Sequence, residues 1–276
     1  MHVGANPESV VQNDKGQLFA TLMGAQRGKE VLDGKVVVIA GDRVTAFAEG
    51  FADPKGIAWV EGRLIVADID RIWAIDETGR KHLVAAPGNF PTTPRFLNDV
   101  APEPARRGFL VSDTGPPERM IESPGKFWPL GNTAPLFART GRIFRVAPAG
   151  NITELALDHP EFSAPNGIAV DPDGTVYIID TFFGAIWRHQ RDQWQCVARD
   201  FRGADGLASD LAGNLYISEF MSGRVWRLHL PSGQRTLLAE LQSPADLILS
   251  ADKRELVIPE MKAGNLVFLQ LSGAGP

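Results

Sequence analysis

Six short segments step from a polar or small residue into an apolar run: Glu8-Ser9-Val10-Val11, Lys55-Gly56-Ile57-Ala58, Asn98-Asp99-Val100-Ala101, Asn166-Gly167-Ile168-Ala169, Asp205-Gly206-Leu207-Ala208 and Ala245-Asp246-Leu247-Ile248. Their heads, Glu8, Lys55, Asn98, Asn166, Asp205 and Ala245, lie 47, 43, 68, 39 and 40 residues apart. Four of them present a carboxylate or an amide oxygen. Brought together, such oxygens suit a hard divalent cation, calcium above all, which takes roughly 6–8 oxygen ligands. Two carboxylates balance its charge, and positions remain for water and a substrate oxygen. No histidine or cysteine heads a segment, which disfavours zinc. Lys55 reads as a counter-ion that lowers the pKa of a neighbouring carboxylate.

Asn-Gly and Asp-Gly are also ordinary turn signals, so Asn166 or Asp205 taken singly has a purely local explanation. Glu8 has no such turn preference. Four oxygen-bearing side chains in one equivalent slot argue for a shared ligand.

What would carry these heads to a common axis is a repeat. After each head segment comes a second strand, as in Leu64–Ala67, Val176–Ile179 and Leu215–Ser218, then a third that alternates apolar with polar or basic residues, as in Gly141–Val146 and Gly223–Leu228. A fourth is expected at Arg80–Ala85, Asn151–Leu157, Gln193–Arg199 and Gln234–Glu240. Four short strands about every 40 residues form a β-propeller blade, so an all-β, six-bladed β-propeller spanning 1–276 is expected. In that fold the inner strands line a central channel and their heads converge. The sixth unit lacks an outer strand after Leu271, leaving the residues before Glu8 to close the ring. Asp68, Asp113, Asp180, Glu219 and Glu260 end second strands and read as structural partners of turn amides or basic side chains. The long third interval places an insertion, 114–140, between second and third strands, rich in proline with Phe127, Trp128 and Phe137, and it reads as a lid.

The chain carries a net charge of -5, with its lysines and arginines scattered, so nucleic acid is not an expected partner. Cys196, the single cysteine, forms no internal disulfide and reads as a strand residue. The absence of a basic segment followed by an apolar run at the start, and of an uncharged apolar stretch of ~18 residues, gives the expectation of a cytoplasmic protein that does not engage a membrane.

At Pro7-Glu8-Ser9-Val10, Asn98-Asp99, Pro165-Asn166-Gly167-Ile168-Ala169 with Pro172-Asp173-Gly174, and Ala204-Asp205-Gly206-Leu207-Ala208, the chain resembles the senescence marker protein, gluconolactonase and luciferin-regenerating-enzyme family of six-bladed calcium propellers. That resemblance implies a calcium-dependent hydrolase of a lactone or related ester. It implies Glu8, Asn166 and Asp205 as direct ligands, Asn98 as a ligand directly or through water while touching substrate, and Asp205 as general base or nucleophile. Sugar-lactone members look to place an arginine two residues before the third-blade asparagine. Here that position is Phe96, with Arg95 one residue further out, and with Trp128 these residues point to a less polar small-molecule substrate. Similar propellers that hydrolyse phosphorus esters share the same ring, so a phosphotriesterase-like activity is an alternative. A propeller that only binds a small molecule or a protein is the other, because fold does not fix function.

Overall fold

The computed structural model describes residues 1–24, 31–116, 121–123, 126–127, 141–157 and 159–271. Its strands assemble into six antiparallel blades. The first blade is Pro7–Gln12, Leu18–Leu22, Gly34–Ala40 and Arg43–Phe51 (β1–β4), and the second is Pro54–Val60, Arg63–Asp68, Arg71–Ile75 and Lys81–Ala85 (β5–β8). The third comprises Leu97–Glu103 (β9), Gly108–Asp113 (β10), Arg142–Val146 (β13) and Ile152–Glu154 (β14), with the small hairpin Ile121–Ser123 and Lys126–Phe127 (β11, β12) between its second and third strands. The fourth is Pro165–Val170, Val176–Asp180, Ile186–Gln190 and Gln193–Ala198 (β15–β18), and the fifth Ala204–Ser209, Asn214–Glu219, Arg224–His229 and Gln234–Glu240 (β19–β22). The sixth has three strands, Ile248–Leu249, Glu255–Glu260 and Asn265–Gln270 (β23–β25).

Each blade forms because tight turns, such as Pro172-Asp173-Gly174 with Gly174 at φ +85, reverse short runs rich in branched residues. Inner strands pack on one another in sequence, β1 on β5, β5 on β9, β9 on β15, β15 on β19 and β19 on β23, and β24 returns to β1. Asp246 N donates to Glu8 O across that last junction at 3.0 Å. The core lies between blades. Phe90 and Phe144, for instance, meet edge to face at 4.9 Å between the second and third, among Ile65, Ile72, Leu97 and Val111. Burying a side chain of this size stabilises the fold by about 1.5–3 kcal/mol.

The ring closes as the repeat requires. Met1 and Leu266 exchange backbone hydrogen bonds at 2.9 and 2.8 Å, and Val3 N donates to Gly264 O at 2.8 Å, so the first residues form the outer edge of the sixth blade. The expected lid falls in the stretch between β10 and β13, and apart from the hairpin backbone most of it, Trp128 included, lies outside the described residues.

Candidate functional site

Glu8, Lys55, Asn98, Asn166 and Asp205 are each the second residue of an inner strand, and Ala245 follows Pro244, which bridges Glu260 at the matching point of the sixth blade. At this position every inner strand carries one residue more than its neighbour. Pro7 pairs with Leu22 but Val10 with Ala20; Pro165 pairs with Asp180 but Ile168 with Ile178; Ala204 pairs with Glu219 but Leu207 with Ile217. The same offset separates Pro54 from Ile57, Leu97 from Val100 and Pro244 from Ile248. A bulge of this kind breaks the ladder and re-aims a side chain. Repeated six times, it gathers the heads of the inner strands at one end of the channel.

Two devices hold the bulges in place. First, the carboxylates that end four of the second strands cradle the backbone leading into a head. Asp113 accepts N–H bonds from Arg95 and Phe96 ahead of Asn98, and from Gly115 beyond its own strand, Asp180 accepts them from Ser163 and Ala164 ahead of Asn166, Asp68 from Ala52 and Asp53 ahead of Lys55, and Glu260 from Gln242 and Ser243 ahead of Ala245. Glu219, the fifth, accepts instead from the Ser222 and Trp226 side chains. These carboxylates are structural, as their places at strand ends indicate. Second, the glycines after three heads let adjacent strands touch. A Cβ on Gly56 would lie 2.5 Å from Asn98 O, one on Gly167 2.5 Å from Asp205 O, and one on Gly206 2.5 Å from Leu247 N. Asn-Gly and Asp-Gly therefore mark close strand packing here and not turns.

The polar heads are all buried, between 3% and 8% exposed, and so are set by their partners. Asn166 Nδ2 donates to Asp205 Oδ1 at 2.5 Å. Asn98 Nδ2 donates to Thr114 Oγ1 at 3.0 Å, and Thr114 in turn donates to Pro165 O at 2.9 Å, tying the third head to the backbone beside the fourth. Each amide thus commits one of its two N–H donors to a fixed acceptor, which sets its orientation, and its carbonyl oxygen remains available to a ligand. Glu8 Oε2 is buried without a hydrogen-bond partner. Lys55 Nζ lies 3.0 Å from Met23 Sδ, 3.9 Å from Asp53 Oδ2 and 4.6 Å from the centroid of the Phe96 ring. The sixth head is apolar: Ala245 packs with Met23, Met261 and Phe220.

Burial raises the Glu8 pKa well above the carboxylate range, and the charge of Lys55 offsets this only in part while Asp205, Asp99 and Asp53 add to it. Asp205 is raised to about 6, again by burial, against the lowering effects of Lys55 and the Asn166 hydrogen bond. Lys55 acts in the expected direction, but desolvation outweighs it. One residue further along the channel sit Ser9, Asp99 and Asp246. Ser9 Oγ donates to Asp246 Oδ2 at 2.6 Å, Ile168 N donates to Asp99 Oδ2 at 2.6 Å, and burial raises Asp99 to about 7. A cavity of about 450 Å³ reaches these two aspartates from the opposite face, past Trp59, Pro102, Val170 and Leu249.

Among the described residues no three His, Cys, Asp or Glu side chains converge as a metal cage. The candidate ligand set is instead two carboxylates with two carboxamides. Its hard oxygens, the amide orientations and the orphaned Glu8 Oε2 fit a divalent cation. Of the residues expected to touch substrate, Phe96 is half-buried beneath Lys55, whereas Arg95 is exposed. Sequence reasoning gave Lys55 only a counter-ion's role and overlooked Met23, whose place beside it follows from the packing of the first blade on the second and from no local signal.

A six-bladed propeller with a ring of oxygen donors at one mouth of its channel defines the class. Over residues 60–258, well more than half its length, the sequence matches the family described as SMP-30/Gluconolactonase/LRE-like region, and the chain belongs to that family. No curated protein sequence matches the chain. Among solved structures, a chain in the crystal structure of a nidogen/laminin complex superposes with a TM-score of 0.64 at 14% identity, covering 84% of this chain and 79% of that one. At that identity the likeness speaks to the fold alone. No helix among the described residues is long and apolar enough to cross a membrane.

Proposed function

We propose that the protein is a calcium-dependent hydrolase of lactones or related carboxylic esters, with Glu8, Asn98, Asn166 and Asp205 holding the cation. The observation that carries the proposal is the buried Asn166–Asp205 pair together with Glu8, whose Oε2 lacks a hydrogen-bond partner and whose carboxyl feels the Asp205 charge. When bound, the cation would polarise the substrate carbonyl and stabilise the charge that develops on its oxygen. Asp205 takes the proton of the attacking water or attacks the carbonyl itself. The Asn166 amide restrains Asp205 in the orientation either role needs. Phe96, half-buried beneath Lys55, sets an apolar ring beside the heads, in keeping with a substrate less polar than a sugar lactone. The partner on this proposal is a small molecule, and the setting a cytoplasmic one.

The test is hydrolysis of aliphatic and sugar lactones, aryl esters and organophosphates by chelator-treated protein, with and without added calcium. Lactone turnover restored by calcium is expected. Because a ligand confined to the native state must stabilise it, calcium is also expected to raise the melting temperature. Turnover that ignores chelation overturns the proposal, and preferential cleavage of phosphorus esters replaces its substrate class.

A further inference from the structure

Lys55 stands in the ring where the other polar heads carry oxygen, and its surroundings do not satisfy it. An ammonium has three N–H donors. Among the described residues its hydrogen-bond acceptor is the Met23 thioether, a weak one, at 3.0 Å. Its ion-pair contact, Asp53 Oδ2 at 3.9 Å, is too long for a hydrogen bond. The Phe96 face at 4.6 Å adds a cation–π contact. The side chain is 5% exposed, so water does not make up the deficit freely. Burying an ammonium so poorly partnered is costly unless the native complex provides an acceptor. Glu8 and Asp205 both feel its charge, so it stands close to the proposed reaction centre.

We infer that Lys55 contacts the substrate, donating a hydrogen bond to the oxygen that becomes negative during ester cleavage and, after cleavage, to the carboxylate of the product. The inference rests on the hydrolase proposal for its chemistry and adds a second electrophile to the ring. With a divalent cation opposite Glu8 and Asp205, the charges of those three cancel. Lys55 then supplies the local positive charge that an anionic oxygen meets. Met23 and Phe96 hold the ammonium, and the carboxylate beside it, Asp53, lies beyond hydrogen-bond reach at 3.9 Å, which leaves N–H donors for a ligand. A donor that acts mainly in the transition state changes kcat and leaves KM nearly alone.

The experiment uses full-length, calcium-saturated protein with γ-butyrolactone as substrate, and γ-hydroxybutyrate and its primary amide as calorimetric probes. Lys55→Met and Lys55→Gln are expected to lower kcat by about 10²-fold with KM changed less than ~2-fold, the signature of one lost oxyanion donor. Wild type is expected to bind the carboxylate better than the amide, the neutral variants to lose that preference by ~10-fold or more, and Lys55→Arg to keep it. Neutral variants with wild-type kcat and an unchanged preference overturn the inference. If wild type hydrolyses neither lactones nor carboxylic esters, the hydrolase proposal falls, and the carboxylate preference decides on Lys55 alone: its loss in the variants sustains the contact, and its absence in wild type refutes it. Should the neutral variants fail to fold, a crystal structure of wild type with γ-hydroxybutyrate settles the matter. A carboxylate oxygen within hydrogen-bond reach of Lys55 Nζ supports the contact, and one beyond it ends the idea.

Discussion

Asn166 hands its amide N–H to Asp205 across 2.5 Å inside a site that water barely reaches, so the two side chains, 39 residues apart in the chain, behave as one unit. The amide steadies the carboxylate yet does not overcome its burial, and Asp205 remains raised to about 6. Asp205→Asn keeps an acceptor for Asn166 and removes the buried charge. We expect activity to fall by ~10²–10⁴-fold, the usual worth of a positioned acid–base group, while the chelated variant melts above chelated wild type at alkaline pH. A variant with full activity removes Asp205 from the mechanism. One that melts lower shows that its charge is compensated.

The same electrostatics set a pH dependence for the metal-free protein. Asp205 is raised to about 6 and Asp99 to about 7, and Glu8 and Asp246 are raised well above their ordinary values, all with burial as the leading cause. A carboxylate whose folded pKa exceeds its unfolded one favours the native state while protonated, and that advantage is lost as pH rises through the folded value. His189, whose pKa burial lowers, works in the opposite sense but only below its ordinary value of 6.5. The melting temperature of chelated protein is therefore expected to fall as pH rises from about 4 to about 7, each pKa unit being worth roughly 1.4 kcal/mol per group before coupling. Calcium should flatten the fall, and its affinity should rise with pH over the same range because the ligands must be ionised. A melting temperature that rises over this interval in chelator contradicts the account.

The heads were legible because a propeller repeats one local pattern, and four oxygen-bearing residues in one slot stand out at the level of residue type. Second strands were legible for the same reason, with Leu64–Ala67 expected and Arg63–Asp68 observed. The outer strands of the first blade, Gly34–Ala40 and Arg43–Phe51, were not assigned, since Val36-Val37-Val38-Ile39 is nearly unbroken apolar sequence without a strand's alternation. The bulges were invisible as well. An extra residue exists only relative to a partner strand, and nothing local to Glu8 or Asp205 announces it. The glycines after Asn166 and Asp205 carried a turn signal whose physical cause proved to be a neighbouring backbone, and the glycine after Lys55 makes the same close approach.

That last cause can be isolated. Alanine at Gly167 would set a Cβ 2.5 Å from Asp205 O and 2.7 Å from Leu207 N, and these backbone atoms cannot turn away. Spreading β15 from β19 would move Asn166 off Asp205. Gly167→Ala is expected to destabilise by about 1–3 kcal/mol, in the range of overpacked interiors, and to weaken calcium binding beyond that effect. Gly88→Ala, with nothing within 4 Å of the added carbon, is the control and should leave both measurements unchanged. Equal behaviour of the two variants in calorimetry and melting would mean that the close approach does not position the ring.

Closure of the propeller offers a last separation, between stability and site. Met1 and Val3 contribute backbone hydrogen bonds to Leu266 and Gly264 and leave the outer edge of β25 paired. The ring itself begins at Glu8, held from within by Asp246 N on Glu8 O and by the packing of β1 on β5 and β24. Removing residues 1–4 exposes an unpaired edge and is expected to lower the melting temperature by several degrees, consistent with a loss of order 1–2 kcal/mol. Amide exchange should quicken across Asn265–Gln270 and stay slow in β1, because outer-edge and inner-strand hydrogen bonds open independently. Calcium affinity measured below the lowered melting point should match that of the full chain. If it falls together with stability, the outer edge of the sixth blade and the heads of the inner strands form one cooperative unit, and the channel site depends on the closure from which it is spatially separate.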